Sequence, residues 1–414
     1  LRTRSSALTI CDVTQSYAVR GGGVKTFLSE KRSFLLGHTD AHHVLIVPGP
    51  EDRIIQEKRA AIIEIKSPQV PGSPNYRLLL RSPAVLDALA FVKPDLIECQ
   101  DAYNLPWTAL CYRARHPETA VVAGYHTDFP TVYVERYLRP RAGAYAARQA
   151  RRLAYRYAAN LYRRFDAFYT LTQIAAEHFA ELGLDDPQIL SLGADTRLFN
   201  KAQRCCDLRA ELGVGDNQPL LIYAGRIDKE KQARVVVDAF RKLPASWGAS
   251  LVMLGDGKER DALARECAGL KVYFKGFVDD RESLATYLAS SDIYVSAMEN
   301  ETFGISVIEA QAAGLPVVGV RAGAMIDRVP PALGRLGPCG DSGAMAANIA
   351  AVWMDRLSEM GARARAHALE NFSWRKTFED LVFRIYSRAL ERRAGKSADP
   401  VFEPAAENPQ AKAG

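Results

Sequence analysis

The amino-acid sequence predicts an α/β protein built on two doubly wound parallel sheets, and three observations carry that prediction. Short apolar runs alternate with longer amphipathic stretches along most of the chain, the pattern of strands buried on both faces and joined by helical crossovers. The runs fall into two series, 7–13, 41–47, 96–99, 120–125 and 167–171, then 220–224, 250–254, 272–275, 293–296 and 316–320. The chain has 414 residues, more than a single core usually supports. Two strand–helix series at this length give two Rossmann-like domains.

The string "SLGADTRLFN" over 191–200 lies between the two series. The expected division is a first domain over 1–195 and a second over 196–373, then a terminal helix over 374–393. The stretch 394–414, rich in Ala, Pro, Lys and Glu without periodicity, reads as a loose tail.

Composition excludes several classes. Hydrophobic residues make up 48% and charged residues 25%, which suits a folded core and not a disordered chain. No apolar run approaches the roughly 20 residues of a spanning helix. Arg2 and Arg4 precede an alternating strand, so no signal peptide is expected. Cysteines are odd in number, lack zinc-ligand spacing and include the adjacent Cys205 and Cys206, as expected of thiols in a reducing cytoplasm. The net charge of +6 is mild, and no nucleic-acid motif accompanies it.

The most informative string is "ENETFGISVIEAQAAGLPVVGV". A polar loop turns at Gly304, a helix runs to about Ala313, and Gly314 and Pro316 break it before a strand. Free N–H groups near Phe303, Ile305 and Ser306 would give that end positive character. Glu309, expected about one and a half turns into the helix, and Glu301, on the loop, are suited to accept hydrogen bonds from vicinal hydroxyls. The bland alternative is a helix-end charge and a solvated helix glutamate.

In "LLIYAGRIDKEKQ" a strand ends at Ala224 and Gly225 permits a close turn. Arg226 and Lys231 follow, a fork and a point charge fit for a diphosphate, or simply a charged surface turn. In "VTQSYAVRGGGVKTFLSE" the run Gly21, Gly22, Gly23 opens a helix. It is neither a dinucleotide fingerprint nor a P-loop, but its backbone can approach a phosphate or a sugar. "VVAGYHTDFP" places His126 and Asp128 just past a strand, where doubly wound sheets bind ligands. A histidine there also serves as an ordinary hydrogen-bonded structural residue. Turns at Gly255 to Gly257 and at Gly276, Phe277 and Val278 could flank a flat base.

Together these strings resemble retaining glycosyltransferases of family 4, of the GT-B fold, from the glycine loop at Gly21 to "NFSW" at 371–374. The resemblance implies two domains facing a cleft, a nucleotide-sugar in the second, and a terminal helix crossing back to the first. It implies that Arg226 and Lys231 bind the diphosphate, Glu309 the ribose, and Glu301 with Phe303 and Gly304 the transferred sugar. Gly22 and Gly23 would close over the phosphates, and His126 would lie beside the reacting sugar. Chemistry without metal or cofactor is expected, since no Asp-x-Asp occurs. A nucleotide-sugar 2-epimerase or a non-catalytic binding module of the same fold are the alternatives. Where family members often carry histidines after the strand here reading "LIEC", this chain has Glu98, Gln100 and Asp101. Asp327 stands where a glutamate is common.

Between Glu135 and Asp166 the chain carries nine arginines and no acid, interleaved with tyrosine and leucine, and Pro140 and Gly143 divide the stretch. A helix over about 144–165 with this composition suits an anionic membrane surface. A solvated basic face or a pocket for an anionic acceptor is the alternative. The expected partners are thus a nucleotide-sugar donor, a glycan or lipid acceptor, and an anionic surface at residues 136–164.

Overall fold

The computed structural model describes residues 7–18, 22–71, 73–355 and 357–394. Arg2, Arg4, Gly21 and most of the expected tail lie outside the described residues. The chain divides into two compact units, Leu1–Leu190 with Arg375–Gly414, and Ser191–Trp374.

In the first unit the strands are β1 (Thr9–Val13), β2 (His42–Gly49), β3 (Arg53–Glu57), β4 (Ala60–Lys66), β5 (Gln69–Val70), β6 (Ser73–Arg77), β7 (Leu96–Cys99), β8 (Ala120–Tyr125), β9 (Ala167–Thr170) and β10 (Gln188–Ile189). Eight form one sheet in the order β10-β9-β8-β7-β1-β2-β4-β3, while β5 and β6 pair apart from it. The pairings are parallel except at the edge, where β3 runs antiparallel to β4. Apolar residues of β1, β7 and β8 are buried on both faces because helices cover both sides.

The second unit carries β11 (Leu220–Ala224), β12 (Ser250–Leu254), β13 (Val272–Gly276), β14 (Ile293–Val295), β15 (Val317–Val320) and β16 (Gly334–Gly337). Its parallel sheet has the order β13-β12-β11-β14-β15-β16. In both sheets the winding reverses beside the first strand, between β1 and β7 and between β11 and β14. Such switch points leave a crevice beyond the carboxyl ends of the strands, and the candidate residues follow those ends.

The terminal segment comprises a helix at Trp374–Asp380, a π-helical stretch at Leu381–Tyr386 and a helix at Ser387–Ala394. From Arg375 it belongs to the first unit. Phe378 packs on Phe27 and Phe34, with ring centroids 5.5 and 5.7 Å apart. Arg392 donates to the Asp166 carbonyl at 2.6 Å. Among the described residues no helix is long and apolar enough to cross a membrane.

Candidate active site

In the second unit, three glycine turns are layered at the ends of β11, β12 and β13. Gly225 N–H donates to the Leu254 carbonyl at 2.9 Å, and Gly255 N–H to the Gly276 carbonyl at 2.7 Å. Gly255 has φ of +132°, and a Cβ there would stand 1.9 Å from the Gly225 carbonyl oxygen. Only glycine permits this approach. The result is a ledge of bare backbone, with Phe277 exposed and Val278 half-buried beside it.

Arg226 and Lys231 follow β11, and both are engaged by carboxylates. The half-exposed Arg226 pairs with Asp228 and, at 2.8 Å, with Glu230. Asp228 also accepts from the backbone N–H groups of Glu230 and Lys231, each at 3.0 Å, which fixes the turn. Lys231 Nζ lies 3.2 Å from Glu301 Oε2 and 2.6 Å from Met298 Sδ. Gln232 donates to Glu299 at 3.1 Å. The β11 turn and the Glu301 loop are thus laced together, and an anionic ligand here would share these cations with their carboxylates. Gly323 and Ala324, which sequence reasoning missed, support the loop from behind. Ala324 N–H donates to the Glu301 carbonyl at 2.8 Å, and a Cβ on Gly323 would come within 2.7 Å of that oxygen.

The helix after the loop is Ile305–Ala312, entered through Gly304 at φ +84° with no side chain capping its N-terminus. Ile305 and Ser306 are half-buried at that end. The Phe303 ring is buried between Arg328, 4.2 Å from its centroid, and Phe372 at 6.1 Å. Arg328 Nε donates to the Phe303 carbonyl at 3.3 Å. Burial pushes the Arg328 guanidinium down to about 10. Phe303 therefore anchors the loop, leaving Gly304 and the first-turn amides for a ligand. Glu309 is the fifth residue of the helix. It is buried, not solvated, 3.0 Å from the Arg281 guanidinium.

In the first unit the β1/β7 switch point holds a charged network that the sequence did not announce. Asp12 and Glu98 are register partners on the two strands. Lys31 Nζ reaches Asp12 at 2.7 Å and Glu98 at 3.0 Å, and all three are fully buried. His43 bonds Asp12 at 2.7 Å, and Gln100 donates to Asp12 at 2.6 Å and to Glu98 at 3.1 Å. Desolvation opposes the charged Asp12, but the Lys31 ammonium and the His43 contact hold its carboxyl below the usual carboxylate range. Tyr386, from the terminal segment, donates to Glu98 Oε2, and Tyr169 donates to Glu98 Oε1 at 2.6 Å.

His126 joins this network. Its Nε2 lies 2.9 Å from the Tyr169 hydroxyl, and its ring packs 4.8 Å from Phe27. Burial, reinforced by the Lys31 charge, pushes the imidazole down to about 3, so it is neutral near pH 7. Asp128 accepts from Tyr125 and Tyr155 at 2.9 and 2.7 Å, which ties it to the core. Gly22, at φ +99°, is the residue before the Gly23–His38 helix. Asp101 accepts from Gln15 N–H at 2.5 Å and from the Thr14 and Ser16 hydroxyls, bracing the loop after β1. Glu98, Gln100 and Asp101 thus serve the network and that loop.

The basic stretch forms a helix at Arg136–Tyr162, broken at Gly143 where φ is +80°. Tyr133, Tyr137, Tyr145, Leu153 and Tyr157 are exposed alongside Arg148, Arg152 and Arg156. Arg151 is tied to Glu135 at 2.7 Å.

Two family models match in tandem, Glycosyltransferase Family 4 over residues 21–198 and Glycosyl transferases group 1 over 207–369. A GDP-mannose-dependent alpha-(1-6)-phosphatidylinositol dimannoside mannosyltransferase of Mycobacterium tuberculosis is 27% identical over 394 residues, covering 94% of this chain and 99% of the relative. Sucrose-phosphate synthase from Thermosynechococcus elongatus has a similar structure, with a TM-score of 0.73 at 20% identity over 91% of this chain and 97% of the other. Anabaena Alr3699/HepE, solved with UDP and glucose, gives a TM-score of 0.69 at 18% identity over 92% and 100%. The class so defined is a glycosyltransferase of the GT-B fold. Within that class, the chain belongs to the group 1 glycosyltransferases of family 4.

Proposed function

We propose that the enzyme moves a hexose-type sugar from a UDP- or GDP-sugar to a lipid, lipid-linked or glycan acceptor, with retention at the anomeric carbon and without a metal. The observation that carries this reading is the ledge beyond β11, β12 and β13, joined by the Lys231–Glu301 contact to an uncapped helix N-terminus. Bare backbone beside Gly255, Phe277 and Val278 accommodates a base. Glu309 meets the ribose hydroxyls, sharing them with Arg281. Arg226 and Lys231 face the diphosphate. Glu301 and the Gly304 and Ile305 amides take the sugar hydroxyls. The mycobacterial relative's name supports GDP-mannose as the first donor to test and a phosphoinositide glycolipid as the first acceptor.

In the reaction, the acceptor oxygen bonds to the anomeric carbon on the face from which the phosphate departs. The carbon–phosphate oxygen bond breaks, and the hydroxyl proton passes to the departing phosphate oxygen. Arg226, Lys231 and the helix end offset the charge that collects there, and no cofactor is consumed. The Arg136–Tyr162 helix, with tyrosines and Leu153 exposed among its arginines, supports peripheral docking on the inner face of the cytoplasmic membrane. Nucleic acid has no place in this reading.

The test is transfer from labelled GDP-mannose and UDP-glucose to a phosphoinositide acceptor in excess EDTA, with the product anomer read by NMR. An α-linked product from the α-linked donor, unchanged by EDTA, is expected. An inverted product refutes retention, and activity lost to EDTA and restored by one divalent ion refutes metal independence.

A further inference from the structure

The hydrogen bonds around His126 fix where its proton must lie. The Tyr169 hydroxyl has one proton to give and two neighbours, Glu98 Oε1 at 2.6 Å and His126 Nε2 at 2.9 Å. Glu98 is a carboxylate held against the Lys31 ammonium at 3.0 Å, and it can only accept. If Tyr169 gave its proton to the imidazole, two oxygens would face each other at 2.6 Å with no hydrogen between them. Tyr169 therefore donates to Glu98 and accepts from Nε2–H. A neutral imidazole has only one ring proton, so Nδ1 carries a lone pair. Among the described residues Nδ1 has no hydrogen-bond partner. The fit is close. A Cβ on Gly124 would fall 2.4 Å from the Tyr169 hydroxyl and 2.9 Å from Nε2, so the contact requires glycine at that place in β8.

We propose that Glu98 and Tyr169 are positioning residues that fix the tautomer of His126, with the proton on Nε2 and the Nδ1 lone pair offered to a hydroxyl of the sugar substrate. The inference rests on the proposed sugar transfer for its catalytic consequence, but not for the tautomer itself. Glu98 acts through the direction of its hydrogen bond. In Glu98→Gln, the amide oxygen stays with the Lys31 ammonium and Tyr386, the amide N–H turns to the Tyr169 oxygen, and Gln100 gives up the contact it makes with Glu98 Oε1 in the wild type. Tyr169 must then donate to Nε2, and the imidazole proton moves to Nδ1. The substrate hydroxyl would meet a donor in place of an acceptor.

The experiment is histidine-selective ¹⁵N NMR of the full chain without substrate, with the His126 signal assigned by its loss in His126→Gln. The expected results are an Nε2–H tautomer in the wild type, an Nδ1–H tautomer in Glu98→Gln, and no such switch by Glu98→Gln in a Tyr169→Phe background. An Nδ1–H wild type, or a Glu98→Gln protein that keeps Nε2–H, overturns the proposal. Should Glu98→Gln fail to fold, Tyr169→Phe alone decides: the slowly exchanging Nε2 proton is expected to disappear, and its persistence overturns the proposal. In kinetics, Glu98→Gln is expected to lower kcat about tenfold or more with donor KM little changed, the size of one charge-independent hydrogen bond lost in the transition state. A switched tautomer with unchanged kcat overturns the positioning role and removes His126 from the reaction. Wild-type protein that transfers no sugar from any donor while showing Nε2–H would instead refute the proposed function.

Discussion

Lys31→Met tests the buried network at its centre. The register places Asp12 beside Glu98 on adjacent strands, and like charges so placed repel. Lys31 Nζ offsets that repulsion at 2.7 and 3.0 Å with no solvent access. Methionine keeps most of the stem and its packing near Phe27 and Tyr386 but removes the charge. Breaking a buried ion pair by deleting one partner costs about 3–5 kcal/mol. For a unit of this size, each kcal/mol lowers Tm by about 2–4 °C, so a fall of about 6–20 °C is expected at pH 7. The pH dependence gives a second check. Asp12 is held below its usual range in the wild type, so its stabilisation is present above about pH 4 and is lost as pH falls further. In the variant Asp12 keeps His43 but loses the ammonium, and the Asp12–His43 pair is relieved by taking up a proton, so the gap from wild type narrows as pH falls from 7 toward 4. Calorimetry across that range follows the first unit's transition. A Tm at pH 7 within about 2 °C of wild type, or a gap that widens in acid, would refute the reasoning.

Glu309→Ala is expected to weaken nucleotide-sugar binding about 10- to 150-fold, the loss of a charge-assisted hydrogen bond of about 1.5–3 kcal/mol, measured by titration calorimetry; unchanged affinity would remove it from the ribose. Lys231→Ala should lower kcat/KM by a similar factor, and a wild-type value would free it from the diphosphate. His126 is pushed down to about 3 by burial, so kcat/KM should show no titration of this residue between about pH 5 and 8. Because the unfolded chain takes up that proton near pH 6.5 and the folded one does not, His126 should make the wild type lose stability as pH falls below about 6.5, a slope absent from His126→Asn. Vesicles of graded anionic content should float the enzyme at low salt, and replacing Arg148, Arg152 and Arg156 should release it; binding insensitive to these changes would leave the helix without a membrane role. Arg151 should matter less because Glu135 already holds it.

The sequence shows the fold wherever a strand is a continuous apolar run, as at β8 and β11. It hides the edges. The β3–β4 hairpin turns through Lys58 at φ +35°, without the Gly or Asn that usually marks such a turn. β16, Gly-Arg-Leu-Gly, has too little apolar content to read as a strand. The residues around the second-unit ledge were legible for a local reason. Gly225, Arg226 and Lys231 lie within one turn, and Glu301, Gly304 and Glu309 within one loop and the helix it opens, so each set lies within nine residues of chain.

The network behind His126 is invisible in the sequence for the opposite reason. Lys31 lies on an amphipathic helix, where a lysine ordinarily marks the solvated face. Its partners are 19 and 67 residues away, and only the winding that sets β7 beside β1 makes Asp12 and Glu98 neighbours. Once they are neighbours, two buried carboxylates in register demand a cation, and the helix after β1 is the element that can supply one. Tyr386 then binds the same glutamate from a residue 288 positions further on. Glu98 consequently looks like an unexplained departure when read along the chain, whereas in the sheet it is the group on which Lys31, Tyr169 and Tyr386 converge. A charge that cannot be interpreted from its sequence neighbours is better judged by what its strand's partners carry at the same register.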